Sequence, residues 1–257
     1  MRKINTVITS YTTYLRLLTL FLLSVLFVAI VPLFPQIPEI QEFLSKQVVN
    51  MGILYAIIVG FLLSITLNRK NLLEEYIYLE LNKIRRIYHL SLHLFKQQSG
   101  LEVWFGELAQ ALKSYHVLFS LENFSRYEDG DPIFRKITYA VYQLPSLKID
   151  YNSELYQSLL DAASASTEAR EYVRATKANS IGLFQWVVLG VITLTLGVAL
   201  VGSTPTEFTA ILASAVFIFN LLLTLDLLYE YDNSNVRKDR FIAELYARNL
   251  EKLEIKI

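Results

Sequence analysis

The chain has 257 residues, 53% of them hydrophobic and 19% charged, with 24 basic and 24 acidic side chains in balance. That hydrophobic share is high for a soluble domain and fits several membrane spans joined to a polar part, while zero net charge offers no global field for a nucleic-acid partner. Without cysteine, disulfides, thiolate nucleophiles and cysteine-based metal sites are excluded.

Residues 1–13 are polar and include Arg2 and Lys3. Tyr14–Val31 is then nearly all apolar, interrupted by Arg16, Thr19 and Ser24. A basic start before an apolar run also fits a secretory signal, but Pro32-Leu33-Phe34-Pro35 follows where a small-x-small cleavage pattern would stand. A retained span is preferred, with Arg16 snorkelling toward the headgroups. Pro32, Pro35 and Pro38 end that helix and predict residues 32–48 as a short, stiff connection with a brief interfacial turn at Ile40–Phe43.

A second span fits Val49–Leu67, apolar except for Asn50, Tyr55, Ser64 and Thr66. Asn68-Arg69-Lys70-Asn71 marks the water boundary, and no proline separates the span from the helical pattern of Leu72–Phe95. One unbroken helix is therefore predicted to leave the membrane. Gly52, Ala56, Gly60, Ser64 and Asn68 recur every four residues and share a face, where small side chains let helices approach closely in lipid. Beside them Ile53, Ile57 and Phe61 make a second row. Around an axis that row would form an apolar constriction able to gate ions by dewetting; otherwise it faces lipid or a neighbouring helix.

Beyond the boundary, Leu73, Ile77, Leu81, Ile84 and Tyr88 give one apolar seam, and Glu80 lies on or beside it. Gly100 breaks the pattern; a second helix fits Leu101–Ser120, Ser125–Asp131 reads as a loop, and Asp131-Pro132 starts a short helix to about Leu144. Pro145 stops it, and Asn152–Lys177 supplies a returning helix. The third span fits Ile181–Val201 and the fourth Glu207–Leu228, each near the ~20 residues that cross a bilayer core. Asn235–Leu253 reads as a last amphipathic helix. The fold class is an all-α integral membrane protein with four transmembrane helices and a helical cytoplasmic domain between spans two and three. Its expected divisions are residues 1–67, 68–180, 181–228 and 229–257.

Orientation follows from the basic residues. Arg2, Lys3 and Arg16, then Arg69 and Lys70, then Arg170, Arg174 and Lys177, and finally Arg237, Lys238 and Arg240 fall on one side, whereas the opposite loops carry only Lys46. Both termini and residues 68–180 are expected in the cytoplasm.

The two-span, insertion, two-span arrangement resembles the bestrophin-like family over the whole chain. Val59-Gly60-Phe61-Leu62-Leu63-Ser64 is similar to the Gly-Phe-containing second span of bestrophins, and Glu80-Leu81-Asn82-Lys83-Ile84 resembles the Glu-x-Asn segment of the shorter bacterial members. Arg170 and Arg174, ahead of Trp186, also look like that group. The resemblance implies a homo-oligomer, a pentamer, in a bacterial inner membrane. Membrane lipid and small inorganic ions would be its partners, with Ile53, Ile57 and Phe61 as the pore neck. It implies chloride or another anion, whereas a ring of Glu80 carboxylates would favour cations. Glu80, Asn82 and Asp226 are the candidate ion-facing side chains, with Asp226 free to snorkel or pair with Arg237 or Lys238.

Two departures stand out: the dense acidic cluster after the fourth span of calcium-gated bestrophins is replaced by Glu230, Asp232, Asn233 and Asn235, and the aromatic-rich segment after the second span is missing. Those four residues have oxygen ligands without an EF-hand's glycine turn or closing glutamate. His89 and His93 are four apart, but no carboxylate completes a metal motif. No cofactor, metal site or catalytic set is expected, and the chain does not read as an enzyme. The competing reading is a non-conducting, membrane-anchored scaffold or sensor that binds a cytoplasmic partner.

Overall fold

The computed structural model describes residues 2–34, 37–121, 124–144, 154–233 and 236–253, with side chains from Tyr14 onward and, in the last stretch, from Arg240. The described residues hold eight α-helices and no strand: α1 Arg2–Val28, α2 Pro38–Gln97, α3 Glu102–Ser120, α4 Asp131–Gln143, α5 Glu154–Ala178, α6 Leu183–Ser203, α7 Phe208–Asp232 and α8 Val236–Lys252. Four stretches are long and apolar enough to cross a membrane: Tyr14–Leu33, a part of α2, a part of Glu154–Ser203, and α7.

Helix α2 runs 60 residues without interruption, about 90 Å at the helical rise. It begins earlier than the proline pattern suggests. Pro38 is its first residue, a place where the missing N–H is no loss and the fixed φ already suits a helix. Glu39 in the first turn and Lys96 in the last complement the helix dipole. Ile40–Phe43 are accordingly helical rather than an isolated turn, and Glu42 and Lys46 pair along the helix at 2.8 Å. The turn into α3 passes through Gly100 at φ 89°, a conformation that glycine adopts without strain.

The chain divides into two compact units. The first comprises Met1–Leu67 and Ser180–Asn233. Its interior is built from Tyr55 and Val59 of α2 with Leu189, Leu196, Leu221 and Leu228, and from Val28 and Val31 with Val201, Ala215 and Ile218. Gly197 admits the Phe27 ring, which a Cβ there would meet at 3.3 Å. The polar groups inside are paired. Tyr55 donates to the Leu221 carbonyl at 3.3 Å, Thr66 to Leu62 and Leu63, Ser24 to Phe21, and Thr204 and Ser214 share a hydroxyl contact at 2.7 Å. Large apolar residues such as Leu22, Leu26, Phe184 and Val187 remain exposed, the pattern of helices whose solvent is lipid.

The second unit comprises Asn68–Asn179 and Ser234–Ile257. The predicted seam Leu73, Ile77, Leu81, Ile84, Tyr88 is its buried spine, packed with Leu108 and Leu112 of α3, Ile137 and Val141 of α4, Leu159 of α5 and Tyr246 of α8. The expected loop at Ser125–Asp131 holds short 3₁₀ turns within Phe124–Gly130, broken by a kink at Arg126 (φ −105°, ψ 46°), and Asp131 opens α4. Phe124, Tyr127 and Gly130 are buried.

Candidate functional site

The apolar part of α2, long enough to cross a membrane, has two unlike faces. Tyr55, Val59 and Thr66 are turned into the first unit, whereas Ile53, Ile57 and Phe61 are 58%, 65% and 66% exposed. Ala56, Gly60 and Ser64 are exposed as well, and Gly52 is half-buried. A Cβ built on Gly52 or Gly60 would meet nothing within 4 Å. The small-residue row therefore does not seat another helix of the same chain. It lies beside the Ile53–Ile57–Phe61 row on one uncovered strip.

Asp226 does not face open space. Its carboxylate accepts from Arg16 Nε at 2.6 Å and also contacts Arg16 Nη2, while Arg16 Nη1 lies 3.5 Å from Glu230. Arg16 thus joins α1 to α7 rather than simply reaching headgroups. The pairing has a physical reason: opposite charges near a membrane segment neutralise each other where hydration is scarce. The side chains of Arg237 and Lys238, the partners suggested by sequence, lie outside the described residues, as do those of Arg2 and Lys3. Asp232, one of the calcium candidates, accepts from the Ile181 amide at 2.9 Å and from Trp186 Nε1 at 3.3 Å. With Glu230 engaged by Arg16, both acids face protein donors at the ends of helices; Asn235 lies outside the described residues.

Glu80 is the largest departure from expectation. It is 0% exposed, so it presents no charge to an open path, and its carboxylate is the hub of a polar cluster. Tyr115 donates to one oxygen, while Tyr127 at 2.5 Å and Tyr246 at 3.4 Å donate to the other. Arg170 Nη1 lies 3.5 Å from Glu80 and also donates to the Tyr115 hydroxyl. The rest of the guanidinium is satisfied by Asp131 at 2.7 Å and the Tyr127 carbonyl at 3.0 Å. Its carbon sits 4.2 Å from the Tyr127 ring centroid and 4.9 Å from that of Phe134, within cation–π range. Arg174 closes the far side by a two-oxygen pairing with Asp131 at 2.8 and 2.7 Å. Gly130 makes the fit possible, because a Cβ there would come within 2.6 Å of Phe119 and 3.2 Å of the Arg170 guanidinium.

The electrostatics follow from that enclosure. Burial pushes the Glu80 carboxyl up; the Arg170 charge and the tyrosine hydroxyls pull it back without restoring the ordinary value. Burial, reinforced by Glu80, drives the Tyr115, Tyr127 and Tyr246 hydroxyls well above theirs, so they stay donors. Burial works against the Arg170 charge, yet Tyr115, Tyr127 and Glu80 hold it above the usual arginine range. For Asp131, partial burial is outweighed by Arg170 and Arg174, which keep its carboxyl below the usual range. Each guanidinium nitrogen and both carboxylate oxygens have partners, which a buried ion pair requires.

A neutral polar pair adjoins this cluster. His116 Nδ1 lies 2.7 Å from the Leu112 carbonyl, and Asn249 Nδ2 approaches His116 Nε2 at 2.9 Å. That places the proton on Nδ1 and leaves Nε2 as acceptor. Burial lowers the His116 pKa to about 4 despite the Leu112 carbonyl. His89 and His93 instead lie exposed on α2, with His93 3.2 Å from Gln97. Asn82 is exposed beside them.

Sequence reasoning reached Glu80 and Arg170 singly and missed Tyr115, Tyr127, Tyr246 and Asp131 as their partners. The available signal was Glu80 on an apolar seam, since an acid there must find donors.

The chain matches the sequence profile of the Bestrophin-like domain family over residues 17–233. No curated protein sequence matches it. Among solved structures it is similar to a bacterial bestrophin homologue from Klebsiella pneumoniae carrying one substitution. The two share a TM-score of 0.72 and 13% identity over 94% of this chain and 100% of that one. A crystal structure described as a membrane protein, also singly substituted, gives TM-score 0.72 and 13% identity, covering 94% of this chain and 99% of that chain.

Proposed function

Because the chain belongs to the bestrophin-like domain family, we propose that it assembles as a homo-oligomer, a pentamer by family resemblance, and conducts small anions such as chloride. The axis is lined by the membrane segment of α2. The observation that carries this reading is the uncovered strip of that segment, with Ile53, Ile57 and Phe61 more than half exposed while Tyr55 and Val59 are buried. In the assembly Ile53, Ile57 and Phe61 form the apolar neck, narrow enough to gate by dewetting. Gly52, Ala56, Gly60 and Ser64 seat the neighbouring copy. Both termini and residues 68–180 lie in the cytoplasm of a bacterial inner membrane, in line with the bias of basic residues.

Burial of Glu80 supports the anion assignment, because it removes the carboxylate ring that would have favoured cations. Asn82, neutral and exposed, remains the ion-facing candidate on that segment. The test is current through purified protein in planar bilayers under chloride, potassium and sodium gradients. The reversal potential should follow chloride, and Ile57→Ala or Phe61→Ala should raise conductance several-fold by widening the neck. A correctly assembled oligomer that passes no current under any gradient would replace the channel with the scaffold reading.

A further inference from the structure

Helices α2 and α8 border a half-open cleft of about 340 Å³ whose wall includes Asn82, Arg85, Arg248, Asn249 and Lys252. It shares Asn82 and Arg85 with a more open cleft of about 460 Å³ that adds Arg86 and His89. Arg85, Arg86, Arg248 and Lys252 thus line two adjoining clefts that share a wall and make one groove, and among the described residues no carboxylate lines either part. In a chain of zero net charge this is a local concentration of positive charge in low-dielectric walls, which focuses the field on anions.

The groove is also ordered. Asn82 Oδ1 accepts from Arg85 Nη2 at 3.0 Å and holds that guanidinium at the shared wall. Asn249 is buried, its amide committed to His116 and, at 3.3 Å, to the Leu81 carbonyl, so the floor is neutral and fixed. Among the described residues Arg248 has an exposed helical pairing with Glu244 at 3.1 Å, which a multivalent anion displaces at little cost. Three guanidinium forks match phosphate oxygens two at a time, where a monatomic ion would use one contact. The volume also suits a small organic ligand better than a single ion.

We propose that the α2–α8 groove binds a phosphate-bearing polyanion through Arg85, Arg86, Arg248 and Lys252. The site is independent of whether the protein conducts. Its ligand is either a soluble polyphosphate or the headgroup of an anionic phospholipid, and one experiment separates the two. Pyrophosphate is titrated into the full-length protein in detergent by calorimetry, and cardiolipin, whose headgroup carries two phosphates, is counted by native mass measurement after retention from mixed micelles. The variant is Arg86→Gln with Arg248→Gln, both at exposed positions, with Lys96→Gln plus Lys136→Gln as a charge-matched control outside the groove. Saturable binding of either probe that weakens with salt, falls at least about tenfold in the double variant and is unchanged in the control supports the site and names its source. Circular dichroism and melting of the double variant should match the parent. Absence of saturable binding for both probes, or equal binding by parent and double variant, overturns the proposal.

Discussion

The two units treat their polar and apolar side chains in opposite ways. In the first, the apolar segment of α2 leaves Ile53, Ile57 and Phe61 uncovered and keeps the Tyr55 and Thr66 hydroxyls paired inside. In the second, the same helix buries its apolar seam and carries a carboxylate inward with it. The contrast separates self-sufficiency from incompleteness. The Glu80–Arg170 cluster finds every partner within its own chain, so it specifies one packing of α2, α3, α4, α5 and α8. The uncovered strip has no such partner among the described residues of the chain, so the first unit is where the proposed assembly would act.

The sharpest way to break this contrast is to spoil the self-sufficient side. Arg170→Met removes the cation and leaves Glu80 buried, which should cost about 3–5 kcal/mol and lower the melting temperature of the purified protein sharply. Glu80→Gln with Arg170→Met should recover much of that loss. Equal stability of parent and Arg170→Met would mean that the cluster is decoration.

A smaller effect comes from acid. Unfolded His116 takes up a proton near pH 6.5, whereas the buried ring does so only at about 4. The unfolded chain therefore holds more protons between those values. The stability tied to neutral His116 is complete above pH 6.5, falls as pH drops, and has lost about 3 kcal/mol near pH 4. Carboxylates titrate in the same interval, so the measurement is the difference in denaturation midpoint between parent and His116→Asn across it. Parallel profiles would contradict the buried neutral ring.

Gly130→Ala is milder. Its added methyl group meets the Phe119 ring and the Arg170 guanidinium, and relief by small shifts should leave a cost of about 1–3 kcal/mol in thermal unfolding. The same change at Gly60, where a Cβ meets nothing within the chain, should leave the isolated subunit unaltered and act only on assembly.

Much of the helical layout could be read in advance because it depends on short-range pattern. Four long apolar runs, the unbroken passage from Val49 to Phe95 and the seam from Leu73 to Tyr88 all follow from spacing. The start of α2 was harder, since Pro38 can end one element or begin the next. The charge networks were illegible for a different reason. Glu80 meets Tyr115 and Tyr246 from 35 and 166 residues away, and Arg16 meets Asp226 across 210. No local period records such partners. A charge on an apolar seam says only that a partner exists, and here it turned Glu80 from an expected ion-facing acid into a buried hub.

Particle imaging of the full-length protein in lipid tests the central claim most directly. The account predicts a closed ring of copies with Ile53, Ile57 and Phe61 of every α2 around one continuous opening. A monomer, or an assembly whose α2 strips face acyl chains with no axial passage, would contradict it.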